Sequence, residues 1–188
     1  MSIKKVYYHL PGLFEFYDFY KKFLPLYRNK RHYFFDWCEI GSIYGSPADC
    51  IWSGGRISYV NHDPDKVFTF MKDFNISARL TFSNSEIQQK HLSDLRCNEL
   101  CRLLSEVDGN GVIVHSDIYI LNYLKEKYSN LYFVSSTTKV IVDFNKFVDE
   151  VNQNDFKYVV IDFRLNKAFA ELQNLNQIQK DKVEFLCN

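Results

Sequence analysis

The 188-residue sequence has no uninterrupted apolar run near the ~18 residues that a membrane-spanning helix requires. Its first residues, MSIKKVYYHLPGLF, are broken by Tyr7, His9, Pro11 and Gly12 and form no signal-peptide core. A cytoplasmic protein is the expectation. No charge of one sign prevails: Lys+Arg and Asp+Glu number 23 each, so there is no overall basic field to hold nucleic acid. The short basic run Arg28-Asn29-Lys30-Arg31-His32 reads as a solvated helix end. The cysteines (Cys38, Cys50, Cys97, Cys101 and Cys187) are odd in number and irregularly spaced, which excludes an evident disulfide framework and points to free thiols. Cys97 and Cys101 lie one helical turn apart with no His or second Cys pair beside them, so no metal site is expected. Also absent are Gly-x-Gly-x-x-Gly, Gly-x-x-x-x-Gly-Lys-Ser/Thr, Gly-x-Ser-x-Gly, His-Glu-x-x-His and Cys-x-x-Cys. What the chain does have is aromatic mass, 13 Tyr and 17 Phe spread through every segment. That spread suits an aromatic core better than a stacking platform for sugars or bases.

The stretch GVIVHSDIYILNYLKEKYSNLYFVSSTTK, from Gly111 to Lys139, reads as strand, amphipathic helix, strand. Both apolar runs end in polar residues, His115-Ser116-Asp117 and Ser135-Ser136-Thr137-Thr138-Lys139. Similar units precede and follow it. Residues 5–9 form a strand candidate stopped by Pro11-Gly12, and residues 14–28 a helix with Phe16, Phe19, Tyr20, Phe23 and Tyr27 on one side and Pro25 near its end. Residues 34–40 read as a strand, the Gly41–Pro47 segment as a loop, and Gly54-Gly55-Arg56 as a turn or a substrate-facing loop. Asp63-Pro64 opens a helix with an apolar stripe of Val67, Phe70, Met71 and Phe74. Then follow a strand over 77–82, a helix over 85–107, a helix capped by Asp143, a strand over 158–162, a helix over 166–179 and a last strand over 183–187.

Later strands start near 77, 111, 131, 158 and 182, a spacing close to the ~30 residues per unit of a (β/α) barrel. The expected fold is a single α/β domain over 1–188, barrel-like, with about seven parallel strands. An open doubly wound sheet is the alternative, weakened by the missing nucleotide motifs. Because the sequence stops on a strand, a truncated TIM-type barrel or an excerpt is expected; residues 50–58 are an alternative source of an eighth strand.

In both architectures a site lies beyond the C-terminal strand ends. Those positions are Glu39, Arg56, Ser83, Asn84, His115, Ser116, Asp117, Ser135, Ser136, Thr137, Lys139, Asp162, Arg164, Asn166, Cys187 and Asn188. His115 suits general acid–base work, Lys139 a phosphate or carboxylate contact or a Schiff base, and Asp162 a carboxylate role or an ion pair with Arg164. Arg56, Ser83, Asn84, Ser135, Ser136 and Arg164 are the candidate substrate contacts. For Ser85, Asp117 and Asn166 helix capping is the simpler role.

The segments Tyr44-Gly45-Ser46, Ile51-Trp52-Ser53-Gly54-Gly55-Arg56, Arg79-Leu80-Thr81-Phe82-Ser83-Asn84, Asp94, Asn98, Ser135-Ser136-Thr137-Thr138-Lys139 and Val183-Glu184 together resemble a group of uncharacterised bacterial barrel proteins. That group is similar to the peptidase U32 (collagenase-like) family. The resemblance implies a barrel and a site at the strand ends. It also implies a cysteine group after the strand at Val183, which in those barrels can hold an iron–sulfur cluster. Here the sequence ends at Cys187-Asn188, and one thiol cannot hold a cluster, so the residues settle no cofactor.

Three functions follow as expectations. The first is a barrel that binds or processes a small polar or anionic metabolite at the strand ends. The second is a non-catalytic interaction or assembly domain, with homo-oligomers through an uncovered sheet edge. The third, RNA-modification chemistry, rests on the resemblance alone, and the balanced charge makes a nucleic-acid partner a poor expectation.

Overall fold

The computed structural model describes residues 4–54, 57–58, 62–115 and 117–187. The elements in order are β1 (Val6–Pro11), α1 (Tyr17–Asn29), β2 (Cys38–Pro47), β3 (Ile57–Ser58), α2 (Pro64–Asp73), β4 (Ser77–Phe82), α3 (Leu95–Ser105) and β5 (Gly111–Val114). They continue with α4 (Asn122–Lys127), β6 (Tyr132–Ser135), α5 (Phe144–Asn152), β7 (Tyr158–Val160), α6 (Phe169–Asn174), α7 (Gln177–Lys182) and β8 (Val183–Glu184).

Alternation along the strands decides how these elements assemble. In β4, Ala78, Leu80 and Phe82 share one face and are fully buried, while Ser77, Arg79 and Thr81 share the other. Ile43, Val112, Val114, Phe133, Val159 and Ile161 continue the apolar face on the other strands and join one core with the helices. From the helices come Leu24 of α1, Val67 and Met71 of α2, Leu100 and Leu104 of α3, Leu124 of α4 and Phe147 and Val151 of α5. Each such side chain contributes about 1.5–3 kcal/mol when fully buried. Parallel strands tied by helical crossovers can bury both faces of the sheet, and β5, with all four residues buried, is such a strand.

The sheet order is β1-β2-β4-β5-β6-β7-β8, every pair is parallel, and β3 pairs with β2 off this path. The seven strands of the path curl into a half-barrel. Curvature shows in contacts between strands that are not neighbours in the order: Arg79 on β4 reaches Glu184 on β8, and His9 on β1 reaches the same carboxylate. The architecture is therefore that of a truncated TIM-type barrel, and the doubly wound open sheet is set aside.

Several local expectations are corrected. The Gly41–Pro47 segment is strand, not loop, and β2 begins at Cys38 rather than at residue 34. Its small residues belong to a crowded strand: a Cβ on Gly45 would stand 2.9 Å from the Leu13 backbone nitrogen. Glu39 consequently sits at the start of a strand, at the end of the barrel away from the rim, paired with Lys5 and Arg31. The helix expected over 85–107 begins only at Leu95, because the Asp94 carboxylate caps the Cys97 amide and leaves Ser85 and Glu86 in a loop. The helix expected over 166–179 is two short helices, broken where Asn176 caps the Gln179 amide, and Phe169 and Ile178 are exposed. In α1 the buried side is Tyr17, Tyr20 and Leu24; Phe19 stacks on Phe23 outside it, and the helix runs through Pro25. Among the described residues of 50–58, the one strand is the two-residue β3, which lies off the barrel path. No helix among the described residues is long and apolar enough to cross a membrane.

Candidate functional site

Three neighbouring strands end in a cluster of polar side chains. His115 follows β5, and its amide still donates to Phe82 O at 3.2 Å, so the β4–β5 ladder fixes its position. The half-buried ring turns Nδ1 toward Thr138 Oγ1, 2.9 Å away. Thr138 belongs to a single 3-10 turn, Thr137–Lys139, that follows β6. Ser136 caps this turn: its Oγ accepts from the Thr138 amide at 3.2 Å and from the Thr138 hydroxyl at 2.8 Å. The Ser136 amide in turn donates to Val114 O at 3.0 Å. Two adjacent strand ends thus align His115, Thr138 and Ser136 in one hydrogen-bonded row.

Asp162 stands at the end of the next strand, β7. Its Oδ1 accepts from the Arg164 amide at 3.0 Å and from Nε at 2.7 Å, and Oδ2 accepts from Nη2 at 2.9 Å. Hydrogen bonds from Arg164 hold the Asp162 carboxyl below its ordinary range against the opposing effect of burial. The Asp162 side chain is buried while that of Arg164 is 50% exposed, so the guanidinium spans from the strand end to solvent. The ion pair foreseen between the two is formed.

The other predicted residues are engaged differently. Ser83 is buried, and Asn84 holds the segment after β2 across the strand ends: its amide donates to Trp52 O at 3.2 Å and its Nδ2 to Ile51 O at 2.8 Å. Gly54 is required at this crossing, since a Cβ there would fall 2.4 Å from Asn84 N. Beneath it Trp52 is fully buried, donates Nε1–H to His91 O at 2.8 Å and meets Phe82 edge-on. Ser135 and Lys139 turn toward α5 instead of toward His115. Ser135 Oγ donates to Glu150 Oε1, and Lys139 Nζ lies 2.7 Å from that same oxygen and 4.7 Å from the Phe156 ring centre. Asp117 opens a π-helical turn, Asp117–Leu121, and Asn166 ends the 3-10 turn Phe163–Leu165 while its Nδ2 donates to Leu186 O at 2.7 Å. Arg56, Ser116 and Asn188 lie outside the described residues.

A second polar cluster, unforeseen as such, fills the concave face. Arg79, 1% exposed, makes two hydrogen bonds to Glu184 at 2.8 and 2.9 Å and a third from Nε to Tyr132 Oη at 2.7 Å. Tyr132 Oη also pairs with Ser77 Oγ at 2.7 Å. His9 joins through Nε2, 3.3 Å from Glu184, and through Nδ1, 2.7 Å from Ser42 Oγ. Burial lowers the His9 pKa to about 4, outweighing the attraction of Glu184, so the ring is neutral at pH 7. The sequence signal was a lone arginine inside an otherwise uncharged strand; its partner, 105 residues away, left none.

A hollow of about 320 Å³ opens at the opposite end of the barrel, lined by residues that include Tyr27, Arg28, Arg31 and Glu39. Its charged groups are committed to one another and to backbone: Arg28 to Asp73 O, Arg31 to Cys38 O and Glu39, and Glu39 to Lys5. Sites in such folds sit at the C-terminal strand ends, so the row at His115 is the stronger candidate despite the hollow.

No family model matches the sequence, and no curated protein matches it either. A search of solved structures finds the U32 peptidase Mk0906, superposing with a TM-score of 0.55 at 16% identity over 98% of this chain and 68% of that one. The fold is U32-like. At this identity the likeness carries the architecture and no activity.

The iron–sulfur cluster implied by the resemblance does not fit the residues here. Cys187 is exposed, its Sγ directed at Phe185 O 3.7 Å away, and no group of three or more His, Cys, Asp or Glu among the described residues could hold a metal ion. The other close thiols, Cys50 and Cys97 with Sγ atoms 3.0 Å apart, are buried between the segment after β2 and α3, far along the chain from Cys187.

Proposed function

We propose that this U32-like barrel binds a small polar or anionic metabolite at the C-terminal ends of β5, β6 and β7. The row His115–Thr138–Ser136 beside the Asp162–Arg164 fork carries this reading. Hydroxyl, imidazole and guanidinium groups on three successive strand ends offer hydrogen bonds and one positive charge to a ligand of matching polarity. His115 is placed for proton transfer, Ser136 and Arg164 for orientation, and Asp162 for holding Arg164 in place. Asn84, which holds the segment after β2 across the strand ends, would border the ligand, and Arg56 remains a proposed contact on its sequence position alone. Ser135 and Lys139, drawn to Glu150, support the turn that carries Thr138. The test is a metabolite screen by thermal shift on the parent, His115→Ala and Arg164→Ala, with hits followed by calorimetry. A ligand whose affinity falls at least tenfold in both variants is the expected result. Hits that bind all three proteins alike would overturn the reading.

A second reading has its own observation. The outer edge of β1 is unpaired among the described residues and exposes Val6, Tyr7 and Tyr8, with the stacked pair Phe35 and Trp37 close by in the segment that leads into β2. Such an edge is suited to assembly between copies. Light scattering at increasing concentration tests it, and a monomer throughout would remove it.

A further inference from the structure

Thr138 stands between Ser136 and His115 and has one hydroxyl proton to give. Ser136 Oγ lies 2.8 Å away and takes that proton, as it also takes the Thr138 amide proton at 3.2 Å. The side of Thr138 Oγ1 that faces His115 Nδ1, 2.9 Å away, is then a lone pair. A lone pair can be bonded only by a protonated nitrogen. The backbone makes this arrangement rigid, because the His115 and Ser136 amides each donate to a carbonyl on the neighbouring strand, at 3.2 and 3.0 Å. Among the described residues nothing hydrogen-bonds His115 Nε2.

We infer that Ser136 and Thr138 hold neutral His115 in its Nδ1–H tautomer, leaving Nε2 as a bare proton acceptor at the strand ends. The inference deepens the metabolite-binding reading and rests on it for its purpose, though not for its test. A ring held this way removes a proton from a ligand hydroxyl or from water: the proton moves to Nε2, the ring becomes imidazolium, and Nδ1–H keeps its bond to Thr138 throughout. The site therefore favours ligands that present an O–H to be deprotonated over ligands that must be protonated on binding. Thr138 and Ser136 are positioning residues, acting through the ring.

Long-range proton–nitrogen NMR of the uniformly 15N-labelled chain without ligand reads the tautomer directly. The five histidines are few enough to resolve, and His115→Gln identifies the signal. With the ring neutral, the expected pattern is a protonated Nδ1 and an unprotonated Nε2. Thr138→Val preserves the branched shape but removes the acceptor, and His115 should revert to the Nε2–H form common in water. Ser136→Ala is the sharper variant: it keeps the His115–Thr138 contact but frees the threonine proton to point at Nδ1, so the same reversal is expected. Thr138→Ser should retain the parental pattern. A parent with protonated Nε2, or a Ser136→Ala spectrum matching the parent, would overturn the inference. Either result leaves the metabolite screen to decide the binding reading separately.

Discussion

Arg79 and Glu184, 105 residues apart in sequence, close the concave face of the half-barrel with two hydrogen bonds of 2.9 and 2.8 Å. Their strands are separated in the sheet by three others, so the pair records the curl of the whole sheet. Because the Arg79 side chain is 2% exposed and that of Glu184 11%, water compensates poorly for the loss of either partner.

Removing one member should therefore be much worse than removing both. Arg79→Met leaves the largely buried Glu184 carboxylate facing a neutral His9, and a loss of about 3–5 kcal/mol is expected. Glu184→Gln strands the guanidinium and should cost a similar amount. The double variant is expected to recover a large part of the summed loss. Urea unfolding of the four proteins forms the cycle. Strictly additive losses would show that the pair does not close the barrel.

His9 makes the same cluster sensitive to acid. Its pKa is about 4 in the fold against 6.5 when free, because burial outweighs Glu184. The unfolded chain thus binds the proton more readily between these values. Stability should be full above pH 6.5, fall as the pH drops toward 4, and level off below that, by about 3 kcal/mol for this group. The side chain is 20% exposed, so water screens only part of the effect. Unfolding free energies at pH 7, 6 and 5 for the parent and His9→Gln check the sign. The parent should lose more than the variant, and parallel curves would refute the assignment.

What could be read from the sequence was local. β4, β5 and β6 are apolar runs closed by polar residues, and the row at His115 falls at ends that such runs reveal. Ser136 was visible as a strand-end hydroxyl, whereas its proximity to His115 needed the register Val114↔Ser135. The β2 strand was hidden because Gly41, Ser42, Gly45 and Ser46 look like loop, although close packing on β1 is what demands small residues. The helix over 85–107 was overextended because apolar spacing continues through the 3-10 turn Gln89–Ser93, while the Asp94 cap marks the true start. Lys139 and Ser135 looked like members of the rim, and only α5 packing reveals Glu150 between them. Contacts that join distant segments, Arg79 to Glu184 above all, leave no trace in periodicity.

The turn that carries Thr138 ends under strain. Val140 follows it at φ 56° and ψ 49°, a left-handed conformation that a β-branched residue adopts at a cost. Val140 is 53% exposed, so little packing is lost when its side chain is removed. Val140→Gly is expected to stabilise the protein by about 1 kcal/mol, the relief of the left-handed strain exceeding the added freedom of the unfolded chain. Chemical unfolding measures it. A loss of stability would mean that the Val140 side chain holds the turn.

Cys50 and Cys97 are placed for a disulfide that the irregular spacing of the cysteines did not suggest. Their Sγ atoms are 3.0 Å apart although 47 residues separate them, and both are buried. The hydrogen bond to Cys50 and burial both push the Cys97 thiol up, so at neutral pH the reaction should be slow. With hydrogen peroxide as oxidant, one thiolate attacks the peroxide to form a sulfenic acid and release hydroxide, which the proton lost by the thiol turns to water. The second thiol then displaces a second water to form the S–S bond. Each chain should lose two of its five titratable thiols, and digestion should yield one cross-linked pair containing Cys50 and Cys97. Closing a loop of this length should stabilise the oxidised protein by about 4 kcal/mol on the chain-entropy model. Cys50→Ser should abolish both the cross-link and the gain. A cross-link formed instead through Cys38 or Cys187 would show that exposure rather than this contact governs oxidation.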